Sequence, residues 1–106
     1  MKRVLILMGS PRQQGNTAAL LEPFCQELKH GGAETEVVRL YDRDIRPCRA
    51  CRACQKDWTV FGCPQQDDVH SIFDRALAAD LMVLATPIYA WYCTAPMKAL
   101  LDRLVY

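Results

Sequence analysis

The sequence lacks any long apolar run and any run of like charges, and each absence excludes a class of protein. No stretch of the 106 residues is long and apolar enough to cross a bilayer. The formal net charge is only +1, so the sequence lacks the excess of positive charge that binds nucleic acid or an anionic membrane surface. We therefore expect neither a nucleic-acid nor a membrane partner. Histidine is scarce too, and neither His30 nor His70 has a partner in the sequence that suggests catalysis.

The amino terminus lacks the features of a secretory signal. A basic start, Met1-Lys2-Arg3, is followed by only five apolar residues, 4–8, and these end in Gly-Ser-Pro with no small-residue cleavage site. Half of the residues are apolar (51%), and the length suits one globular domain covering residues 1–106. We expect a cytoplasmic protein.

Two hydrophobic periodicities alternate along the chain and predict the order βαβαβα. Apolar runs at 4–8 and 81–86, together with segment 34–40, predict strands. Apolar residues at helical spacing predict three helices: one capped by Asn16, kinked at Pro23 and ending at Gly31-Gly32, one capped by Asp67 or Asp68, and one beginning near Thr94 with Pro96 in its first turn. Their apolar positions are Leu20, Leu21, Phe24 and Leu28; Val69, Ile72, Phe73, Ala76 and Leu77; and Met97, Leu100, Leu101 and Leu104.

This alternation predicts an α/β fold with a parallel sheet and helices on both faces. Right-handed crossovers give the strand order 2-1-3, in which the first strand lies where the winding direction reverses. Ligands of such sheets bind beyond the carboxyl ends of the strands at that reversal. Segments 9–17 and 86–94 flank this crevice, and an insert at 41–66 emerges from the same rim.

The loop after the first strand, "MGSPRQQGNTA", has the composition of an anion site. Its lack of G-x-x-x-x-G-K-[ST] argues against Mg-nucleotide chemistry, and its lack of G-x-G-x-x-G argues against a dinucleotide pyrophosphate. The following helix directs unpaired N–H groups toward the loop, to which Ser10, Arg12, Asn16 and Thr17 add polar donors. We predict a site for a single phosphate, with a polar capped turn as the alternative.

The loop after the third strand, "TPIYAWYCTAP", is rich in aromatic residues. Pro87, Ile88, Tyr89 and Trp91 lie where a flat conjugated ring would bind beside the sheet. Tyr92 has an alternative role, packing under the last helix. A phosphate loop opposite an aromatic loop suggests a mononucleotide with a large ring, and flavin mononucleotide (FMN) fits best.

"GSPRQQGNTAALL" and "ATPIYAWYCTAPMKALLDRL" together resemble the flavodoxin-fold family of NAD(P)H-dependent FMN reductases and iron–sulfur flavoproteins. The resemblance implies a flavodoxin-like three-layer sandwich in which Ser10, Arg12, Asn16 and Thr17 hold the FMN phosphate, while Pro87, Ile88, Tyr89 and Trp91 line the ribityl chain and ring. Lys98 and Asp102-Arg103 also match the family, although their spacing equally suits a surface pair and helix packing. Family members continue through two more strand–helix units, so the third strand forms a bare edge here. Either the chain is a fragment that lacks the C-terminal part of the family fold, or another chain covers this edge. We expect a homo-oligomer, a dimer or a tetramer.

The insert carries four of the six cysteines, with the spacing Cys48-x₂-Cys51-x₂-Cys54-x₈-Cys63-Pro64. Three thiols at successive i+3 positions and a fourth before proline resemble a ferredoxin run and suit a [4Fe-4S] cluster. Zinc, or free thiols in a reducing compartment, are the alternatives. Arg46, Arg49 and Arg52 would offset the negative charge of a cluster or are solvated loop charges. Cys25 and Cys93 are interpreted as small buried hydrophobes.

The first functional hypothesis is an oxidoreductase that passes hydride from NADH or NADPH through FMN to a flavin, quinone or other small acceptor. Because the cofactor carries the chemistry, no residue is assigned as a catalytic acid or base. The second is an electron carrier that relays electrons between FMN and a [4Fe-4S] cluster on Cys48, Cys51, Cys54 and Cys63 to a protein partner. The third is an assembly module that binds no flavin.

Overall fold

A computed structural model of the chain describes residues 2–104. Three strands and three helices alternate along it. They are β1 (Arg3–Met8), α1 (Asn16–His30), β2 (Glu34–Arg39), α2 (Val69–Ala78), β3 (Leu81–Ala85) and α3 (Ala95–Leu104). The segment between β2 and α2 contains two short 3₁₀ turns, at Leu40–Asp42 and Ala53–Gln55. The predicted element order is confirmed, and the second and third strands each end one residue earlier than predicted.

The three strands form one parallel sheet in the order β2-β1-β3. In the centre of the sheet, Leu7 of β1 is flanked by Val38 on one side and Leu84 on the other. Strand β1 is therefore the strand at which the winding direction reverses, as predicted. The architecture is that of a flavodoxin-like α/β sandwich, with the carboxyl ends of all three strands at one edge.

The main hydrophobic core lies on the face of the sheet covered by α2 and α3. Leu5 and Leu7 of β1 are buried there against Ile72 of α2 and against Met97 and Leu100 of α3. Fully burying an aliphatic side chain of this size contributes about 1.5–3 kcal/mol, so this face supplies most of the stability of the fold.

Helix α1 lies over the opposite face, and its apolar residues are less covered than the sequence predicts. None of its residues is buried, Leu20 is 76% exposed and Phe24 is 40% exposed. An open groove of about 350 Å³ separates α1 from β3, and no other described segment fills it. The predicted cap is also wrong: Gly15 occupies the N-cap position, Asn16 is the first helical residue, and the helix continues through Pro23 to His30.

Helix α2 begins at an aspartate pair, as predicted, and the two carboxylates accept hydrogen bonds from different amides. Asp68 occupies the N-cap position without a side-chain capping bond, whereas the carboxylate of Asp67 accepts a hydrogen bond of 3.2 Å from the Val69 amide. The carboxylate of Asp68 instead accepts one of 2.6 Å from the amide of Asp44 in the insert. The apolar stripe is shorter than predicted, because Leu77 is 71% exposed.

Strand β3 is an edge strand among the described residues. Leu81, Met82 and Leu84 are 49%, 40% and 45% exposed. The family resemblance predicts this exposed edge, because family members continue through two more strand–helix units, and a strand that is apolar on both faces needs such cover.

Candidate functional site

The loops after β1 and β3 meet at the carboxyl edge of the sheet. The Gly9 amide donates a 2.7 Å hydrogen bond to the Ala85 carbonyl, and the Thr94 hydroxyl donates one of 2.6 Å to the Gly9 carbonyl. A Cβ on Gly9 would lie 3.0 Å from Thr94 Oγ1 and 3.2 Å from Thr86 Cβ. Any larger residue here would have to push these neighbours aside. The loops predicted to flank one crevice do lie side by side.

Two threonines hold the second loop in place, and the sequence analysis did not identify them as site residues. Thr86 Oγ1 accepts a 3.2 Å hydrogen bond from the Thr94 amide and donates one of 2.8 Å to the Pro87 carbonyl. Thr94 is completely buried. The available signal was positional: one threonine ends a strand, and the other directly precedes a helix with proline in its first turn.

In the first loop, Ser10 is buried and its hydroxyl accepts a 3.2 Å hydrogen bond from the Arg12 amide. At the start of α1, Gly15 provides no side-chain cap, and the first turn contains no acidic residue. The first intrahelical bond of the turn runs from the Ala19 amide to the Gly15 carbonyl. The earlier amides of the helix therefore have neither a capping side chain nor a neighbouring carboxylate, and they are available to an external anion.

Arg12 lies alongside the first turn of α1. A Cβ on Gly15 would be 3.2 Å from Arg12 Cβ and 3.6 Å from Arg12 Nε. The positive end of a helix dipole and a guanidinium thus occupy the same place, an arrangement that is unfavourable by about 0.3–1 kcal/mol for a cation at a helix N-terminus. An anion bound between them would reverse the sign of that interaction.

The remaining two residues of the predicted phosphate loop differ in exposure. Asn16 is exposed, and Thr17 is half-buried where the groove between α1 and β3 reaches the rim, near Thr86. All four predicted residues thus lie on one loop and the first turn of one helix. That they hold a phosphate stays a prediction.

The second loop contains a closed two-residue turn. Tyr89 and Tyr92 exchange backbone hydrogen bonds of 2.7 Å and 3.0 Å, and the residues between them, Ala90 and Trp91, have φ values of 49° and 69°. This is a type I′ turn, which glycine and asparagine normally occupy. A tryptophan held in the left-handed region costs about 1–2 kcal/mol of backbone strain.

The side chains of this turn point away from the core. Trp91 is 99% exposed, Ile88 is 77% exposed, and Tyr89 is 45% exposed, whereas Pro87 is half-buried. Tyr92 does not pack under the last helix: it is 55% exposed, with the Lys98 ammonium 6.0 Å from its ring centroid. The result is an uncovered apolar surface beside the phosphate loop, as a flat ring would require.

In the insert, all four cysteines line one small cavity of about 40 Å³. Cys48 and Cys51 are exposed at its mouth, and Cys54 and Cys63 are half-buried. As the side chains stand in residues 2–104, no three cysteine, histidine or carboxylate groups converge closely enough to hold a metal ion. The predicted ligands are therefore neighbours, and their role as ligands stays a prediction.

Backbone geometry brings these cysteines together. Ala50 and Arg52, on either side of Cys51, have φ values of 56° and 62°, so the chain turns sharply between successive thiols. Gly62, which precedes Cys63, packs against Cys54: a Cβ there would lie in ordinary contact, 3.5 Å from the Cα of Cys54.

Arg103 of α3 reaches into the insert and is buried, which the sequence analysis did not anticipate. It forms an ion pair with Asp67 in which both side chains are excluded from solvent. Its Nη1 also donates a 3.1 Å hydrogen bond to the Arg46 carbonyl, and its Nη2 donates to Cys63 Sγ at 3.3 Å and to the Gln65 carbonyl at 3.4 Å. By contrast, Lys98 and Asp102 form the predicted exposed pair, at 2.5 Å.

Electrostatics stabilise both charges of the buried pair. Burial raises the pKa of Asp67, but hydrogen bonds from Arg103 and from the Arg46 and Val69 amides outweigh it, so the pKa lies below 3.8. Burial likewise opposes the charge of Arg103, yet hydrogen bonds to Asp67 and Cys63 raise its pKa above the ordinary value. Both groups therefore stay ionised at neutral pH.

The two histidines and the other two cysteines are not among the residues that line the cavity of the four insert cysteines. His70 Nε2 is 3.0 Å from the Gln65 carbonyl, and its ring meets that of Phe61 edge-on at 4.9 Å, a packing role. His30 is exposed at the end of α1. Cys25 and Cys93 are half-buried rather than fully buried. Within residues 2–104, no helix has the length and apolar character needed to span a membrane.

Comparisons with known proteins show which family this chain is similar to. The family model described as NADPH-dependent FMN reductase matches residues 2–106. An iron-sulfur flavoprotein of Methanocaldococcus jannaschii is 35% identical over 101 residues, which cover 95% of this chain and 51% of that protein. The chain spans about half the length of the curated relatives it matches.

Solved structures agree with the fold. An NAD(P)H:quinone oxidoreductase from Methanothermobacter marburgensis superposes with a TM-score of 0.81 at 25% identity, covering 97% of this chain and 53% of that one. RosB with bound 8-demethyl-8-formylriboflavin-5'-phosphate superposes with a TM-score of 0.78 at 28% identity, covering 98% and 42% of the two chains.

Proposed function

The chain belongs to the NADPH-dependent FMN reductase family, and we propose that it binds FMN at the carboxyl edge of its sheet and serves as a flavin oxidoreductase. In this proposal hydride passes from NADH or NADPH through FMN to a flavin, a quinone or another small acceptor. We further propose a cytoplasmic homo-oligomer. Relatives named as an NAD(P)H-dependent FMN-containing oxidoreductase and an NAD(P)H:quinone oxidoreductase support the reaction class.

The observation that carries the proposal is the position of Arg12 beside the uncapped start of α1. A phosphate dianion bound there would accept hydrogen bonds both from the helix amides and from the forked guanidinium. Buried Ser10 would fix the loop through its bond to the Arg12 amide. A neutral ligand would leave the two positive groups uncompensated.

The exposed turn at 89–92 would contact the flavin ring. Trp91, Tyr89 and Ile88 present apolar surface next to the phosphate loop, and aromatic contacts of this type contribute about 0.5–1.5 kcal/mol beyond buried area. Bound FMN would supply the hydride-accepting ring, and the residues of the chain bind and orient it. No side chain need act as an acid or base.

Parallel titrations with FMN and riboflavin, followed by flavin fluorescence, test this assignment. Arg12→Gln should weaken FMN binding roughly 10- to 100-fold, the value of a charge-assisted hydrogen bond, and leave riboflavin binding unchanged. The matched control is Arg43→Gln, which alters an exposed arginine of the insert. Equal losses for both flavins would contradict the phosphate site, and no binding of either flavin by the wild-type chain would favour an assembly module.

A second candidate function is an iron–sulfur flavoprotein that relays electrons between FMN and a [4Fe-4S] cluster to a protein partner. The arrangement of four cysteines around one cavity favours it, and the donor set, four thiols with a cationic guanidinium beside them, has the chemistry that such clusters require. A relative named as an iron-sulfur flavoprotein supports the same assignment. Cys48, Cys51, Cys54 and Cys63 would be the ligands.

Iron and sulfide analysis after anaerobic reconstitution separates the two candidates. The electron carrier predicts four iron atoms per chain, the content of the cluster, and their loss in Cys63→Ser. Cys25→Ser serves as the control, because Cys25 lies on α1, outside the insert. Binding of zinc in place of iron, or of no metal, would leave the reductase as the remaining flavin function.

A further inference from the structure

Arg103 makes more contacts in the insert than an anchoring residue requires. Its ion pair with Asp67 and its bonds to two carbonyls already fix α3 to the insert. In addition, Nη2 donates to Cys63 Sγ at 3.3 Å. Among residues 2–104, nothing accepts a hydrogen bond from the buried Nε, and Arg103 lines the same cavity as the four cysteines. A buried guanidinium beside four thiols is compensated best when an anionic group occupies the cavity that they share.

The contact is specific to one cysteine. Cys54 is half-buried like Cys63 and lines the same cavity, yet among the hydrogen bonds of the described residues only the Cys63 sulfur accepts from the guanidinium. Cys63 is also the cysteine farthest from the other three in sequence, so its position depends most on an external constraint. Arg103 supplies that constraint from α3, a helix whose position is fixed by buried Met97 and Leu100.

We propose that Arg103 is a positioning residue for the fourth cluster ligand: its Nη2 holds Cys63 in place and, through this N–H···S bond, raises the reduction potential of the bound cluster. The inference rests on the iron–sulfur function proposed above. Hydrogen bonds to cluster sulfurs and local positive charge favour the more negative, reduced form, and these are recognised means of setting cluster potentials.

The test measures iron content and, by anaerobic redox titration of the chain, the reduction potential of the cluster. Arg103→Lys keeps the charge but lacks the forked N–H that reaches Cys63. We expect it to retain a cluster whose reduction potential is more negative than in the wild type. Arg103→Gln alone would leave Asp67 buried and unpaired, so the second variant combines Arg103→Gln with Asp67→Asn and removes both charges together. It should shift the potential in the same direction.

The control is Arg75→Gln, which removes a partly exposed arginine of α2 that pairs with Glu36 of β2, outside the insert, and should leave the potential unchanged. An anchoring role alone would lower iron content or thermal stability without moving the potential of the clusters that form. Unchanged potentials in both Arg103 variants would therefore overturn this inference while the iron–sulfur function stands. A wild-type chain that holds zinc or no metal would overturn both.

Discussion

At the scale of single residues, the Thr94 hydroxyl joins the two loops of the proposed flavin site. It donates to the Gly9 carbonyl at 2.6 Å in a completely buried position. Thr94→Val keeps the shape of the side chain but leaves that carbonyl unpaired, so we expect a loss of about 1–3 kcal/mol in the free energy of unfolding. Urea unfolding measures the loss. Thr94→Ser retains the hydroxyl and should lose much less; equal losses for the two variants would show that the methyl group contributes as much to stability as the hydroxyl does.

Asp67 gives the molecule a defined acid sensitivity. Because its pKa is below 3.8 in the folded chain, the ionised carboxylate stabilises the fold above that pH, and this contribution is lost as the pH falls through the lowered pKa. Asp67→Asn should reduce stability at neutral pH by about 3–5 kcal/mol, since it leaves buried Arg103 without a counter-charge. It should also weaken the dependence of stability on pH below about pH 4.

Thermal unfolding over a pH series checks both parts of this expectation, with Asp74→Asn, an exposed aspartate of α2, as the matched control. If Asp67→Asn keeps the full acid dependence of the wild type, the buried pair is not its source.

The burial of Arg103 and its contacts with the insert could not be predicted from the sequence. At i+5 from Lys98 and next to Asp102, it has the pattern of a solvated helix charge. Its burial depends on the insert folding back over α3, and nothing in the local pattern encodes that path. The position of Ser10 and Arg12 beside the start of α1 was predictable, because a polar loop between a buried strand and a helix leaves few places for its side chains. That they hold a phosphate stays a prediction.

At the scale of elements, the type I′ turn of residues 89–92 combines strain with exposure, a combination that indicates a functional constraint. Trp91→Gly relieves the left-handed backbone at φ 69°, so stability should be unchanged or higher by up to about 1 kcal/mol. Flavin affinity should nevertheless fall about 2- to 10-fold, because an aromatic contact is removed. Chemical denaturation and flavin titration measure the two quantities on the same samples.

Ala90→Gly is the matched control, since it relieves the adjacent position at φ 49° without removing an aromatic ring. It should gain stability and keep flavin affinity. A drop in stability for Trp91→Gly would mean that Trp91 contributes packing, contrary to its almost complete exposure.

The environment of a strand or helix was predictable where both of its faces are buried, and less so where only one face is buried. Strand β1 lies in the centre of the sheet with residues from Val4 to Met8 all buried, and its continuous apolar run leaves no alternative. Helix α1 has an apolar stripe of the right period, yet Leu20 is exposed because nothing described covers the groove beside β3. Periodicity indicates which face is apolar, and it does not indicate whether that face is covered.

At the scale of the whole molecule, the strand order was predictable because right-handed crossovers leave few layouts for three parallel strands. What this sheet leaves uncovered is equally informative. The groove between α1 and β3, lined by Leu20, Phe24 and Leu84, joins the exposed edge of β3. Contiguous apolar surface next to an unpaired strand edge favours association with another polypeptide.

We therefore expect the chain to self-associate in a concentration-dependent way through this surface. Leu84→Lys places a charge in the groove and beside the strand edge, and it should shift the population toward monomer without loss of the core, because Leu84 is already 45% exposed. Light scattering coupled to size-exclusion chromatography measures the shift. Leu77→Lys makes the same chemical change at a 71% exposed leucine on α2, outside the groove, and should leave association unaltered. Burying the ammonium that Leu84→Lys introduces at a contact would be more unfavourable than the apolar contact is favourable. If both variants associate as the wild type does, the interface therefore lies elsewhere.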